Sequence, residues 1–112
     1  MELYNKESLK KLSETSNEAY YLPKELFTKF KAIRLETKMA YVAIIDTMMK
    51  KPVFNKDNQA IVKVDNPEIQ KTLATLANKE VDLAKVQKYV DELVEADLIE
   101  VNKQDIYVYD LG

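Results

Sequence analysis

Residues 66–109 carry two helix signals separated by a few residues and followed directly by two short strand signals. A polar cap, an early proline and an acid in the first turn predict a first helix over residues 66–78. A second helix is predicted from about residue 81 to residue 97, because its apolar side chains recur at helical spacing. Those side chains are Leu83, Val86, Val90, Leu93 and Val94. Residues 98–101 and 106–109, with turn residues 102–105 between them, predict a β-hairpin.

The remaining elements fit around this helix-turn-helix and hairpin. Residues 35–50 are apolar on nearly every side and rich in good helix formers, which predicts a central, buried helix. Residues 59–64 predict a short strand that joins the hairpin as a third strand. We therefore predict a mainly helical α+β fold, a winged helix-turn-helix with a small antiparallel sheet. Residues 1–18 are expected to form a flexible N-terminal arm with one or two helical turns, and residues 19–112 the folded domain.

The residue types that are missing exclude many classes of site. The chain has no Cys and no His, which removes thiolate chemistry and the commonest general base and metal ligand. Its one glycine is Gly112, so glycine-rich phosphate loops are excluded. We expect no catalytic residue, no cofactor and no metal. The acids Asp91, Glu92 and Glu95 are interpreted as charge on a solvated helix face that favours solubility.

The net charge of −2 argues against indiscriminate binding of polyanions. Local charge therefore matters more than the mean charge. No segment approaches the roughly 20 apolar residues that span a bilayer, and the polar start of the chain lacks the apolar core of a secretion signal. We expect a cytoplasmic protein without membrane contact.

The face of the second helix opposite its apolar stripe is the candidate DNA-binding surface. Successive residues of a helix are about 100° apart, which identifies the side chains on this face. The side chains in its N-terminal half are small or basic, and those in its C-terminal half are acidic. A recognition helix inserts its N-terminal part into the major groove. We expect Lys85 and Lys88 to contact phosphates or guanine edges, with Lys79 joining them from the preceding turn. Val81 and Ala84 are small enough for close approach and are candidates for contact with thymine methyl groups.

Two further candidates, Lys103 and Gln104, lie in the predicted hairpin turn, where a lysine is placed to contact phosphate or the minor groove. The alternative for the hairpin is a plain turn, and the alternative for the outer face of the second helix is an ordinary solvated helix face of mixed charge.

A second basic stretch, residues 24–38, is interleaved with Phe27 and Phe30. We interpret it as a surface loop that its phenylalanines anchor to the core, with contact to DNA or to a partner as the alternative.

Three segments resemble a known family. Residues 19–28, AYYLPKELFT, resemble the opening of the RepA N-terminal-domain family of plasmid replication initiators from low-GC Gram-positive bacteria. Residues 35–46, LETKMAYVAIID, are similar to the next block of that family, and residues 66–101 agree with its helix-turn-helix and following strand in order and spacing. The resemblance extends over about residues 19–109. This sequence departs from the family in its acidic net charge, in the absence of a Ser or Asn cap before Leu35, and in its short wing turn.

The resemblance implies sequence-specific binding of a homodimer to repeated sites in double-stranded DNA at a plasmid origin. It also implies host replication proteins as partners through a C-terminal domain, which we expect to be absent from these 112 residues. Two alternatives remain open. One is a winged-helix adaptor that binds proteins of the replication machinery and never contacts DNA. The other is a MarR-like transcriptional regulator, which would need an effector pocket that the sequence does not mark.

Overall fold

The computed structural model describes residues 1–16 and 18–111 of the chain. Its helices are α1 Lys6–Thr15, α2 Glu25–Thr28, α3 Leu35–Lys50, α4 Pro67–Ala77 and α5 Leu83–Glu95. Its strands are β1 Val53–Phe54, β2 Ala60–Lys63, β3 Ile99–Asn102 and β4 Asp105–Val108. This order confirms the predicted α+β class and the winged-helix arrangement of helix, strand, helix, helix and hairpin. None of the helices within the described residues is long and apolar enough to cross a membrane.

The strands form one antiparallel sheet in the order β1-β2-β4-β3. β2 pairs with β4, so the strand predicted near residues 59–64 does join the hairpin as a third strand. The β3–β4 ladder continues to the pair Asn102 and Asp105, which leaves only Lys103 and Gln104 in the turn. The predicted four-residue turn is therefore wrong by two residues, because its outer members extend the strands. β1 is a two-residue edge strand that the sequence pattern did not predict.

The centre of the core is α3, as its apolar sequence predicted. Its residues 40–45 and Met48 are at most 1% exposed. Helices α1, α4 and α5 and strand β2 all contact it. Burying each large aliphatic side chain of this kind stabilises the fold by about 1.5–3 kcal/mol. The hydroxyl group of buried Tyr41 donates a hydrogen bond to the carbonyl oxygen of Tyr109 at 3.4 Å, which links α3 to the end of the sheet.

Local signals set the ends of α4. The side-chain oxygen of Asn66 accepts the backbone N–H of Glu68 at 2.9 Å, and Pro67 occupies the first turn, where its missing N–H costs no hydrogen bond. At the other end Asn78 adopts the left-handed conformation, with φ 53° and ψ 44°. Asn tolerates this region better than most residues, so it ends the helix sharply and starts the turn toward α5.

The prediction of a flexible arm over residues 1–18 needs correction. Asn5 and Ser8 form a capping box that starts α1, and Leu9 of this helix is 1% exposed. Tyr4 is also buried, and the preceding backbone forms a bridge from Leu3 to Tyr109. The sequence shows only thinly spaced leucines here, and the surface that covers them comes from distant segments. Residue 17 of the predicted arm lies outside the described part of the chain.

Candidate nucleic-acid interface

The candidate interface is the outer face of α5. Asp82 caps the helix, since its Oδ1 accepts the backbone N–H of Lys85 at 2.8 Å. This role explains why an acid stands at the start of a proposed recognition helix: its carboxylate is directed to the backbone of the first turn. The opposite face of α5 lies against the core, and its buried side chains, each at most 4% exposed, are Val86, Tyr89, Val90 and Leu93.

Three predicted site residues lie on the outer face of α5. Ala84, Lys85 and Lys88 are all exposed. Neither lysine takes part in an ion pair within residues 1–16 and 18–111. The N-terminal half of α5 therefore presents two positive charges and one small side chain to solvent, as the sequence predicted.

Val81 does not belong to this face, which corrects the prediction. It is 9% exposed and is part of the hydrophobic core. The prediction placed Val81 at the start of the helix, but Asp82 is still extended, with φ −91° and ψ 172°, so Val81 precedes α5. Its carbonyl oxygen accepts a hydrogen bond from the side-chain amide of Gln70 in α4 at 3.4 Å. Val81 thus helps to hold the turn between the two helices and is not placed to contact a base.

Leu83 and Val94 also differ from the prediction, which put both in the buried stripe. Leu83 is 44% exposed and Val94 is 38% exposed. The core instead takes Tyr89, which the sequence pattern did not single out. The buried stripe of α5 is narrower than predicted, because the elements that contact the helix, α3, α4 and β3, leave Leu83 and Val94 largely in solvent.

Lys79 is exposed, but it is not free of partners. Its Nζ lies 3.4 Å from Oε2 of Glu36 in α3. Both side chains are more than 40% exposed, so the pair contributes little to stability. Contact between Lys79 and a phosphate would require this lysine to leave a carboxylate, which makes it a weaker candidate than Lys85 or Lys88.

The wing tip consists of Lys103 and Gln104, and both side chains are exposed. Lys103 adopts a left-handed conformation with φ 59°, which allows the chain to reverse in two residues. The carbonyl oxygen of Gln104 accepts the N–H of Val64 at 2.9 Å, so the tip is tied to the segment after β2. The hairpin follows the C-terminal end of α5, whereas Lys85 and Lys88 lie in its N-terminal half. The wing and these two lysines are separate parts of the candidate interface.

A polar cluster that the sequence did not reveal joins α5 to the start of α3. Arg34 donates two hydrogen bonds to the carboxylate of Glu92, one of them from Nε at 3.0 Å, and Thr37 Oγ1 donates a third. The guanidinium group also lies 5.2 Å from the ring centre of Tyr89. The hydrogen bonds from Arg34 are the main cause that lowers the pKa of Glu92, with smaller contributions from Thr37 and the charge of Lys88.

The effect of this cluster is to neutralise an acid beside the proposed interface. Arg34 and Glu92 are 58 positions apart in the chain, so no local pattern could have indicated the pair. The bidentate geometry is the arrangement in which arginine binds carboxylates best. The pair links α5 to the residue that precedes α3.

The basic stretch over residues 24–38 is anchored only in part as predicted. Phe30 is half-buried and packs against the core. Phe27 is 41% exposed, and the ammonium group of Lys38 lies 5.0 Å from its ring centre. Lys29 and Lys31 are exposed. Residues 29–31 therefore add positive charge to the segment that precedes Arg34.

The acids of the C-terminal half of α5 do not gather into a metal site. Within the described part of the chain, no group of three or more acidic side chains is close enough to hold a metal ion. Asp91 accepts a hydrogen bond from the side-chain amide of Gln87 at 2.9 Å, which is a contact along the surface of one helix.

Comparisons with protein-family models, with curated proteins and with solved structures found no match for this chain. The resemblance of residues 19–28 to plasmid replication initiators therefore stays a prediction.

Proposed function

We propose that this chain binds double-stranded DNA sequence-specifically, as a homodimer, at repeated sites of a plasmid replication origin. In this proposal α5 lies in the major groove with its N-terminal half toward the bases. The chain contributes contacts and geometry and needs no catalytic residue. The resemblance of residues 19–46 to replication initiators supports the origin as the target, and the winged-helix order of elements supports DNA as the ligand.

One observation carries the proposal: the charges on α5 are sorted along its length. Lys85 and Lys88 have no ion-pair partner within the described residues. The carboxylate of Glu92, one helical turn further on, is bound by Arg34 and Thr37. The first two turns of α5 therefore carry two lysines and no acid, with the capping carboxylate of Asp82 directly before them, although the whole chain carries a net charge of −2. Lysines gathered on one face of a protein are what attract a phosphate backbone to it.

The dimensions of the molecule suit a dimer on one face of the duplex. Its principal extents are 33 × 29 × 28 Å. Two-fold related recognition helices bind half-sites about 34–36 Å apart, one turn of DNA. In this proposal two copies lie side by side and place their α5 helices in adjacent major grooves. In this arrangement the wing tips, with Lys103 and Gln104, contact the flanking backbone.

The test begins with a duplex library in which a central segment is randomised, from which the wild-type protein selects its site. Fluorescence anisotropy then gives the affinity of the selected duplex between about 50 and about 200 mM salt, a range over which phosphate contacts are strongly screened. Each phosphate contact contributes about −0.9 to the slope of log affinity against log salt concentration. The variant K85E/K88E should bind at least about tenfold more weakly, with a slope smaller in magnitude by about 1.8.

The matched control is K10E/K56E, which makes the same change in net charge. Lys10 in α1 and Lys56 in the turn between β1 and β2 are both exposed. Strand β3 contacts α5, and β1 lies at the opposite edge of the sheet from β3. The control should keep most of the affinity. Equal losses in the two variants would show that binding follows net charge and not α5. If the wild-type protein selects no duplex at low salt, the adaptor hypothesis replaces the proposal.

A further inference from the structure

Leu83 is the first residue of α5 and is unusually placed for a leucine. It is 44% exposed and does not belong to the hydrophobic core or to the partly buried side chains packed against it. Single exposed leucines are common on protein surfaces and carry no argument by themselves. Leu83 differs from such residues in its position, because the first turn of a recognition helix is the part that approaches the base edges.

The surroundings of Leu83 orient it and leave it free to make a contact. Asp82 caps the helix immediately before it, which orders the first turn. Ala84 beside it is exposed and too small to block close approach. Gln87 lies one turn further along the same flank, and its amide donates a hydrogen bond to Asp91. Among these neighbours, Leu83 is the one large apolar side chain, and it lies exposed on the flank of α5 without packing in the core.

The chemistry of the major groove identifies what such a side chain recognises. Of the four bases only thymine presents a methyl group on its major-groove edge, and apolar side chains contact that methyl. The other edges present donors and acceptors that a leucine would bury without satisfying. A leucine between solvent and groove therefore favours thymine by burying its methyl group, and disfavours the other bases by desolvating their polar atoms.

We infer that Leu83 contacts the 5-methyl group of a thymine in each half-site, so that the DNA bound by this chain carries an A·T pair under the first turn of α5. This inference rests on the proposed function, and it assigns to Leu83 a contact with thymine that the sequence had suggested for Val81 and Ala84. Lys85 and Lys88 supply affinity through the backbone, while Leu83 supplies base preference.

The experiment replaces single thymines of the selected duplex with uracil, which removes only the methyl group. Burying one methyl group corresponds to about a fourfold change in affinity. The wild-type protein should bind one uracil-containing half-site about fourfold more weakly than the thymine half-site. L83A should bind the thymine duplex more weakly than the wild type, and should no longer distinguish thymine from uracil at that position.

The control is V94A, which shortens an exposed apolar side chain about 16 Å further along the same helix. It should keep the difference between thymine and uracil, and the melting temperatures of both variants should stay near that of the wild type. If the wild type tolerates uracil at every position, or if L83A keeps the difference, the inference is overturned while the proposed function stands. If the wild type binds no duplex, the proposed function and the inference fail together.

Discussion

Replacing Leu9 by alanine tests whether α1 is part of the cooperative core. Leu9 is 1% exposed, so the substitution removes nearly all of a buried side chain and leaves a cavity under the helix. Substitutions of this kind cost about 2–5 kcal/mol of the free energy of unfolding. Against a total of about 5–15 kcal/mol for a typical domain, this is a large loss. At roughly 4 °C per kcal/mol, the melting temperature should fall by about 8–20 °C.

Thermal unfolding followed by circular dichroism measures this effect, with L9A compared with K10A. Lys10 is the next residue of the same helix and is exposed, so K10A should change stability by less than about 0.5 kcal/mol. Both variants should unfold in a single transition. A melting temperature for L9A within about 2 °C of the wild type would refute the reasoning, because α1 would then be detached from the core in solution.

Three further predictions concern the contact of Glu92 with Arg34, the end of α4 and the wing tip. Urea unfolding should show that E92Q is less stable than the wild type at neutral pH. Because Arg34 lowers the pKa of Glu92 in the folded state, the difference in stability between the two proteins should shrink as the pH falls below 4.5, the ordinary pKa, and the carboxyl group is protonated. A difference that is constant between neutral and acidic pH would contradict the ion pair. N78A should lose about 1 kcal/mol of stability and N78G should lose little or none, because residue 78 has a φ of 53°; equal losses in chemical denaturation would contradict the left-handed turn. K103A should reduce the magnitude of the salt slope for the selected duplex by about 0.9 if the wing contacts one phosphate, and an unchanged slope would remove the wing from the interface.

Much of the fold could be predicted because its signals are local. Asn66 and Pro67 mark the start of α4, and Asn78 marks its end, with side chains that act on the backbone of their own helix. The apolar residues of α3 predicted a buried helix because no face of it is polar enough for solvent. The hairpin was predicted from two short apolar strands and the polar residues between them. In each case the physical cause lies within a few residues of the element that it shapes.

The candidate site could be predicted less completely. Helical periodicity placed Lys85 and Lys88 in solvent correctly, since both lie within α5. It failed at Val81, because a shift of the helix start by two residues turns the side chain from solvent to the core. It failed at Leu83 for a related reason: periodicity indicates the direction of a side chain, but not whether another element covers that flank.

The sequence by itself determined the order of the elements, the central place of α3, and the outward direction of the two lysines, since all three follow from periodicity and from capping within single segments. Only the tertiary structure decided that α1 packs into the core, that Glu92 is bound by Arg34 from the other half of the chain, and that Leu83 stays in solvent. These depend on which surfaces meet. Contacts between residues dozens of positions apart form because burial and hydrogen bonding over the whole chain favour them, and no local pattern records that balance.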